Sequence, residues 1–72
     1  MAWQDFPPFT SSNIATIRSD DEQMVLEIVF NSGGTYQYFD VPSHVVDEFK
    51  AAESKGGFLA ARIKGHYRYS KV

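Results

Sequence analysis

Met24-Val25-Leu26-Glu27-Ile28-Val29-Phe30-Asn31-Ser32-Gly33-Gly34-Thr35-Tyr36-Gln37-Tyr38-Phe39-Asp40-Val41-Pro42 is the stretch whose reading decides the fold. Its first seven residues alternate, with Met24, Leu26, Ile28 and Phe30 on one side and Val25, Glu27 and Val29 on the other. That period of two is the mark of a strand with one apolar face. Asn31-Ser32-Gly33-Gly34 then supplies residues that tolerate the positive φ of a hairpin turn. The partner strand carries Tyr36-x-Tyr38, whose side chains must share one face. If Phe30 pairs with Thr35, Leu26 opposes Phe39 and Met24 opposes Val41. This register sends Phe39 and Val41 to the core and turns Tyr36 and Tyr38 to the opposite face. A slip of one residue would reverse every side chain and bury the tyrosines.

Working outward, Asp20-Asp21-Glu22-Gln23 reads as a solvated turn, and the β-branched run Asn13–Ser19 before it as a first strand. Residues 1–12 show no period, and Pro7-Pro8 favours an extended course, so residues 1–10 read as an arm with at least one aromatic packed on the body, the alternative being a disordered start. Downstream, Pro42 suits the first position of a helix. Val45, Val46, Phe49 and Ala52 follow at helical spacing, with Asp47, Glu48 and Lys50 outside. Ser54-Lys55-Gly56-Gly57 reads as its stop. A shorter helix fits Phe58–Lys64, with Leu59 and Ile63 four apart and Gly65 ending it. His66–Lys71 reads as a last strand with a second Tyr-x-Tyr, Tyr67 and Tyr69, and its expected place is the sheet edge beside the first strand. The order β-β-β-α-α-β predicts an α+β fold, a small, mainly antiparallel sheet with two helices on one face.

Seventy-two residues make one domain, residues 11–72 beyond the arm. So small a domain buries only about 60% of its unfolded surface. No cysteine is present to supplement that core or to build Cys-rich zinc sites. Its six Phe, four Tyr and one Trp therefore carry the burial. With no signal-peptide pattern and no apolar run near the ~18 residues of a membrane span, a cytoplasmic protein without membrane association is expected. Net charge is −2, but it is unevenly spread. Residues 1–49 hold one base and eight acids, net −7, whereas residues 50–72 hold six bases and one acid, net +5. Such asymmetry points either to an anionic partner of the last third or to mutual neutralisation across the fold.

Beyond these patterns, the residues resemble a known family. Ser11-Ser12-x-Ile14, the strand ending in Phe30, Ser32-Gly33, Tyr36-x-Tyr38, Val41-Pro42, Ala52-x-Ser54-x-Gly56, Phe58 and Ile63 before Tyr67 together resemble the KTSC domain. That domain is named for its occurrence at the C-terminus of some lysyl-tRNA synthetases and also occurs as a free-standing small bacterial protein. The resemblance covers roughly residues 11–70. It implies a module of unassigned function, with RNA binding suggested and no catalytic residues, and its tyrosine motif carries over to Tyr36 and Tyr38.

The residues themselves offer little for catalysis. Ser43 and Ser54 stand at helix ends, where serine bonds backbone groups. Ser43, His44 and Asp47 fall on one helical stretch, where adjacent residues do not face each other. His44 and His66 lack paired metal-ligand spacing. The glycine pairs lack a G-x-x-x-x-G-K pattern and read as turn residues, so no cofactor is expected. Binding has more content. Tyrosines on a sheet face stack unpaired bases, and Lys or Arg hold phosphates. Tyr36, Tyr38, Arg68, Lys64 and Lys71 are the expected contacts to tRNA or single-stranded RNA, at micromolar affinity or weaker. Glu27, beside Tyr38 in the expected register, weighs against phosphate on that face. The alternative class is a protein-interaction module that docks a partner through exposed aromatics or a sheet edge.

Overall fold

A computed structural model describes residues 3–72; Met1 and Ala2 of the expected arm lie outside the described residues. Five strands, β1 (Trp3–Asp5), β2 (Ile14–Asp20), β3 (Val25–Phe30), β4 (Thr35–Tyr38) and β5 (Tyr69–Lys71), form one antiparallel sheet in the spatial order β1-β2-β3-β4-β5. Helix α1 (Ser43–Ala51) and helix α2 (Lys55–Phe58), which runs on as a π-helical turn at Leu59–Ile63, lie between β4 and β5 in the chain. The α+β class and the three expected central strands hold, and the arm contributes one strand more.

The register differs from the expected one. Leu26 pairs with Tyr38 and Ile28 with Tyr36, so both tyrosines lie on the core face. The cause is the parity of the loop. Gly33 donates to Phe30 O at 2.9 Å and Phe30 donates to Gly34 O at 2.8 Å, with Gly33 at φ 100°. This is a three-residue loop in which Asn31 and Ser32 make the turn and Gly33 takes the left-handed position. Phe30 therefore faces Gly34 rather than Thr35, and every later partner moves by one. Phe39 accordingly leaves the core and is only half-buried. Val41 still reaches the core at 1% exposed, because Asp40 at φ 60° turns the chain before it. Met24 is corrected too. It sits in the β2–β3 turn at φ 57° and is 40% exposed. Asp20 organises that turn, its Oδ1 accepting the N–H groups of Glu22 and Gln23.

Helix α1 begins one residue later than expected. Pro42 is its N-cap, and the Pro42 carbonyl accepts from Val45 and Val46. Val45, Val46 and Phe49 form its buried face, as the spacing predicts. The stop, however, is not glycine. Ala52 turns extended, and the Lys55 ammonium donates to the carbonyls of Lys50 and Ala52 at the helix end. Gly56 and Gly57 lie inside α2 instead, whose start is capped by Ser54 Oγ accepting from the Gly57 N–H at 3.0 Å. A Cβ at Gly56 would come within 2.9 Å of Asn13 Oδ1, so glycine there lets α2 approach the segment before β2.

The core is Ile14, Ile17, Leu26, Ile28 and Tyr38 from the sheet against Val41, Val45, Val46, Phe49, Leu59 and Ile63. Phe6 closes it from the arm, meeting Phe49 edge-on at 5.2 Å, while Phe58 stacks on the same ring at 4.9 Å. The last strand lies beside β4, not beside the first expected strand, because β1 already occupies that edge. Backbone bonds from Phe39 N to Arg68 O and from Val72 N to Thr35 O extend the β4–β5 pairing beyond the strand itself.

On the other sheet face a polar row crosses all five strands. Asp5, Arg18, Glu27, Gln37 and Ser70 are successive register partners. Arg18 Nε donates to Glu27 Oε2 at 2.5 Å and Gln37 donates to Glu27 Oε1 at 3.0 Å. Trp3 lies 4.5 Å from the Arg18 guanidinium, a cation–π contact. Glu27 thus faces away from Tyr36 and Tyr38.

Candidate functional site

The helices cover the sheet over β2 and β3 but leave the β4–β5 end of the same face open. There Phe30, Ser32, Tyr36, Tyr38, Lys64, Gly65 and Tyr69 line a cleft of about 470 Å³. The rings form a connected set. Phe30 and Tyr36 meet edge-on at 5.6 Å, and Tyr69 lies 5.8 Å from Tyr36 and 5.7 Å from Tyr38. Tyr38 is 3% exposed and forms the floor, whereas Tyr69 is 60% exposed.

Each wall has a local cause. The three-residue turn sets Phe30 and Ser32 at one end. Alternation in β4 puts Tyr36 and Tyr38 on one face, and pairing of Tyr69 with Tyr38 adds the third ring. At the other end the π-helical turn closes with Lys64 N donating to Leu59 O at 2.8 Å, five residues back. Gly65 follows at φ 80°, a left-handed bend for which glycine is suited. This termination delivers Lys64 to the cleft, with its ammonium 5.8 Å from the Phe30 ring.

The charged lining of the cleft is a single lysine, Lys64. No carboxylate lines the cleft. Among the described residues Lys64 and Lys71 have no carboxylate partner, whereas Arg18, Arg62 and Arg68 pair with Glu27, Glu48 and Asp40. Of the two readings of the charge asymmetry, mutual neutralisation is seen in part: Arg62 and Arg68 of the last third pair with Glu48 and Asp40 of the earlier chain. Burial pushes the Tyr38 hydroxyl above the usual tyrosine range, and Tyr69 and Tyr36 add to the effect. The hydroxyl stays protonated at neutral pH as a donor.

Of the five expected contacts, Tyr36, Tyr38 and Lys64 come together in the cleft. Lys71 pairs with Tyr36 in register and so stands on the same sheet face. Arg68 does not join them. It precedes β5 and binds Asp40 at 2.9 Å, with both side chains largely exposed. The sequence reading missed Phe30 and Tyr69 as cleft residues. The second Tyr-x-Tyr was the available signal, but it gained meaning only once β5 paired with β4; Tyr67 packs against the core instead. His44, His66 and Ser43 are exposed.

The fold and cleft define a small α+β domain with an aromatic recess at one end of its sheet. Comparison with known proteins places it further: the KTSC domain matches residues 10–67, and the chain belongs to that family. A crystal structure of a KTSC domain protein from Yersinia pestis superposes with a TM-score of 0.89 at 41% identity, covering 99% of each chain. An uncharacterised protein of Stutzerimonas stutzeri is 38% identical over 63 residues, 86% of this chain and 89% of that protein. A lysine–tRNA ligase of a Nostoc species is 36% identical over 61 residues, 85% of this chain but 11% of the ligase.

Proposed function

We propose that this domain is a non-catalytic module that binds RNA, single-stranded or the unpaired parts of tRNA, in the cleft between Tyr36, Tyr38 and Tyr69. One observation carries the reading: three tyrosine rings and Phe30 line a recess with a lysine at its rim and no carboxylate. Bases stack on aromatic rings whatever their identity, and lysines hold the strand's phosphates. The similarity to a segment of a lysine–tRNA ligase supports tRNA as the source of that strand. The sheet face used is the helix-side one, so the acidic Glu27 on the opposite face does not oppose an anion.

Tyr69 is the variant that tests it, since it is 60% exposed and its loss leaves the core intact. In fluorescence titrations at low salt, Tyr69→Ala is expected to weaken binding of a short single-stranded RNA. A stacked base is worth ~1–3 kcal/mol, so the loss is on the order of tenfold or more. With Lys64 and Lys71 as the phosphate contacts, the log–log salt slope is expected near −1.4, at ~0.7 per neutralised phosphate. Unchanged affinity in Tyr69→Ala, or a slope near zero, overturns the reading; the second result would instead favour an apolar protein partner.

A further inference from the structure

We infer that the cleft is a site for one nucleotide, with its base on Tyr69 and its phosphate on Lys64, so that a free mononucleotide is its smallest ligand. The inference rests on the RNA-binding reading and specifies the unit recognised. Size is the first argument. At about 470 Å³ the cleft falls within the ~300–1,000 Å³ of small-molecule sites. Width is the second. Open four-stranded platforms stack two or three bases. Here the helices occupy the face over β2 and β3, and the rings left for a base come mainly from β4 and β5.

Tyr38 is 3% exposed, and its hydroxyl bonds no described residue. Among the described residues the buried side-chain polar atoms without a partner are Ser19 Oγ and Asp20 Oδ2; the Tyr38 oxygen, unbonded but not one of them, keeps some access to solvent, and Tyr38 lines the cleft. A tyrosine whose ring is buried keeps its polar tip for a partner at the accessible end. An edge atom of a base in the cleft supplies one, since the phenol both donates and accepts. Lys64, fixed at the rim by the π-helical turn, then meets the nucleotide's phosphate. Lys71, two residues along from Tyr69 on the same face, stands where the next phosphate of a strand would pass. The shared chemistry is a nucleotide, whether free or within a strand.

The test is an amide-resolved NMR titration of the full chain with uridine and adenosine 5′-monophosphates, the matching nucleosides, inorganic phosphate and a tetranucleotide. Mononucleotides are expected to move the amides of Tyr36, Tyr38, Lys64, Gly65 and Tyr69, and to bind roughly tenfold tighter than nucleosides through the charge-assisted phosphate contact. Lys64→Gln should lower nucleotide affinity to the nucleoside level and leave nucleoside affinity unchanged. Tyr69→Ala should weaken both, and Tyr69→Phe should restore both. If the tetranucleotide moves cleft amides while the mononucleotides move none, the one-nucleotide site is wrong and the RNA-binding reading survives. If Lys64→Gln weakens nucleoside and nucleotide alike, or inorganic phosphate alone matches the nucleotides, the assignment of base and phosphate is wrong. If no RNA or nucleotide binds, both readings fall together.

Discussion

Glu27 is an acid buried in the middle of a five-stranded sheet, with its residue 8% exposed. A buried carboxylate is tolerated only when its charge is met. Here Arg18 and Gln37 meet it from the two neighbouring strands. The Arg18 hydrogen bond holds its pKa below the usual carboxylate range, against the opposing pull of burial. A carboxyl depressed in the folded state contributes stability that is present above its unfolded value, about pH 4.3, and that is lost as pH falls through the folded value. Glu27→Gln is therefore expected to melt lower at pH 7 and to show a smaller further drop by pH 3 than the parent. Parallel losses of melting temperature over that range would show that Glu27 is not the acid-sensitive group. At the same scale Tyr38 and Tyr69 divide one task, the first as a buried floor and the second as an exposed ring.

At the scale of elements, the β3–β4 turn decides what the cleft contains. Its three-residue loop needs a left-handed residue, and Gly33 at φ 100° supplies it. Nothing lies within 4 Å of a Cβ placed there, so the cost of substitution is conformational and not steric. Gly33→Ala is expected to destabilise the fold by about 1–2 kcal/mol, the cost of a left-handed L-residue, measured by urea unfolding. A neutral outcome would mean that the turn is not held in this conformation. The element also explains what could be read beforehand. Turn chemistry and the alternation of Met24–Phe30 located the hairpin, but loops of three and four residues draw on the same Asn, Ser and Gly. One residue of loop length sets the parity of every later pair. The apolar pattern favours matching Leu26 with Phe39, but Val25 and Val29 make the opposite face apolar too, and the loop instead pairs Leu26 with Tyr38. The second helix starts earlier than expected for a similar reason: glycine pairs read as helix ends, and the approach of Asn13 to Gly56 and of the capping Ser54 Oγ to Gly57 accounts for a pair inside one.

Over the whole molecule, stability depends on a segment that carries no periodic signal. Phe6 is 7% exposed and seats against Phe49. A buried Phe→Ala substitution costs ~3–5 kcal/mol. A domain of this length has a total of only about 4–11 kcal/mol, at ~0.05–0.15 per residue. Phe6→Ala is therefore expected to remove a large share of the stability, or to leave the chain unfolded at 37 °C by circular dichroism. A loss below about 1 kcal/mol would show that the arm is an accessory to the core. The surface ion pairs Arg62–Glu48 and Arg68–Asp40 tie the basic last third to earlier acids, but exposed pairs of this kind add little. Among the described residues, Lys64 and Lys71 then stand as cations without carboxylate partners on the side of the cleft.

Local chemistry was enough to determine the α+β class, the central strands, the buried face of α1 through Val45, Val46 and Phe49, and the tyrosine pair as a shared face. Each of these depends on residues within a turn or two of one another, where side-chain period and backbone preference act directly. Tertiary structure alone decided which way Tyr36 and Tyr38 face, that β5 lies beside β4, that residues 3–5 pair as β1, and hence that Tyr69, Tyr38 and Lys64 meet in one cleft. Those outcomes rest on contacts between segments far apart in the chain. They are fixed by the parity of one loop and by which edge strand finds which open edge, and no local pattern encodes either.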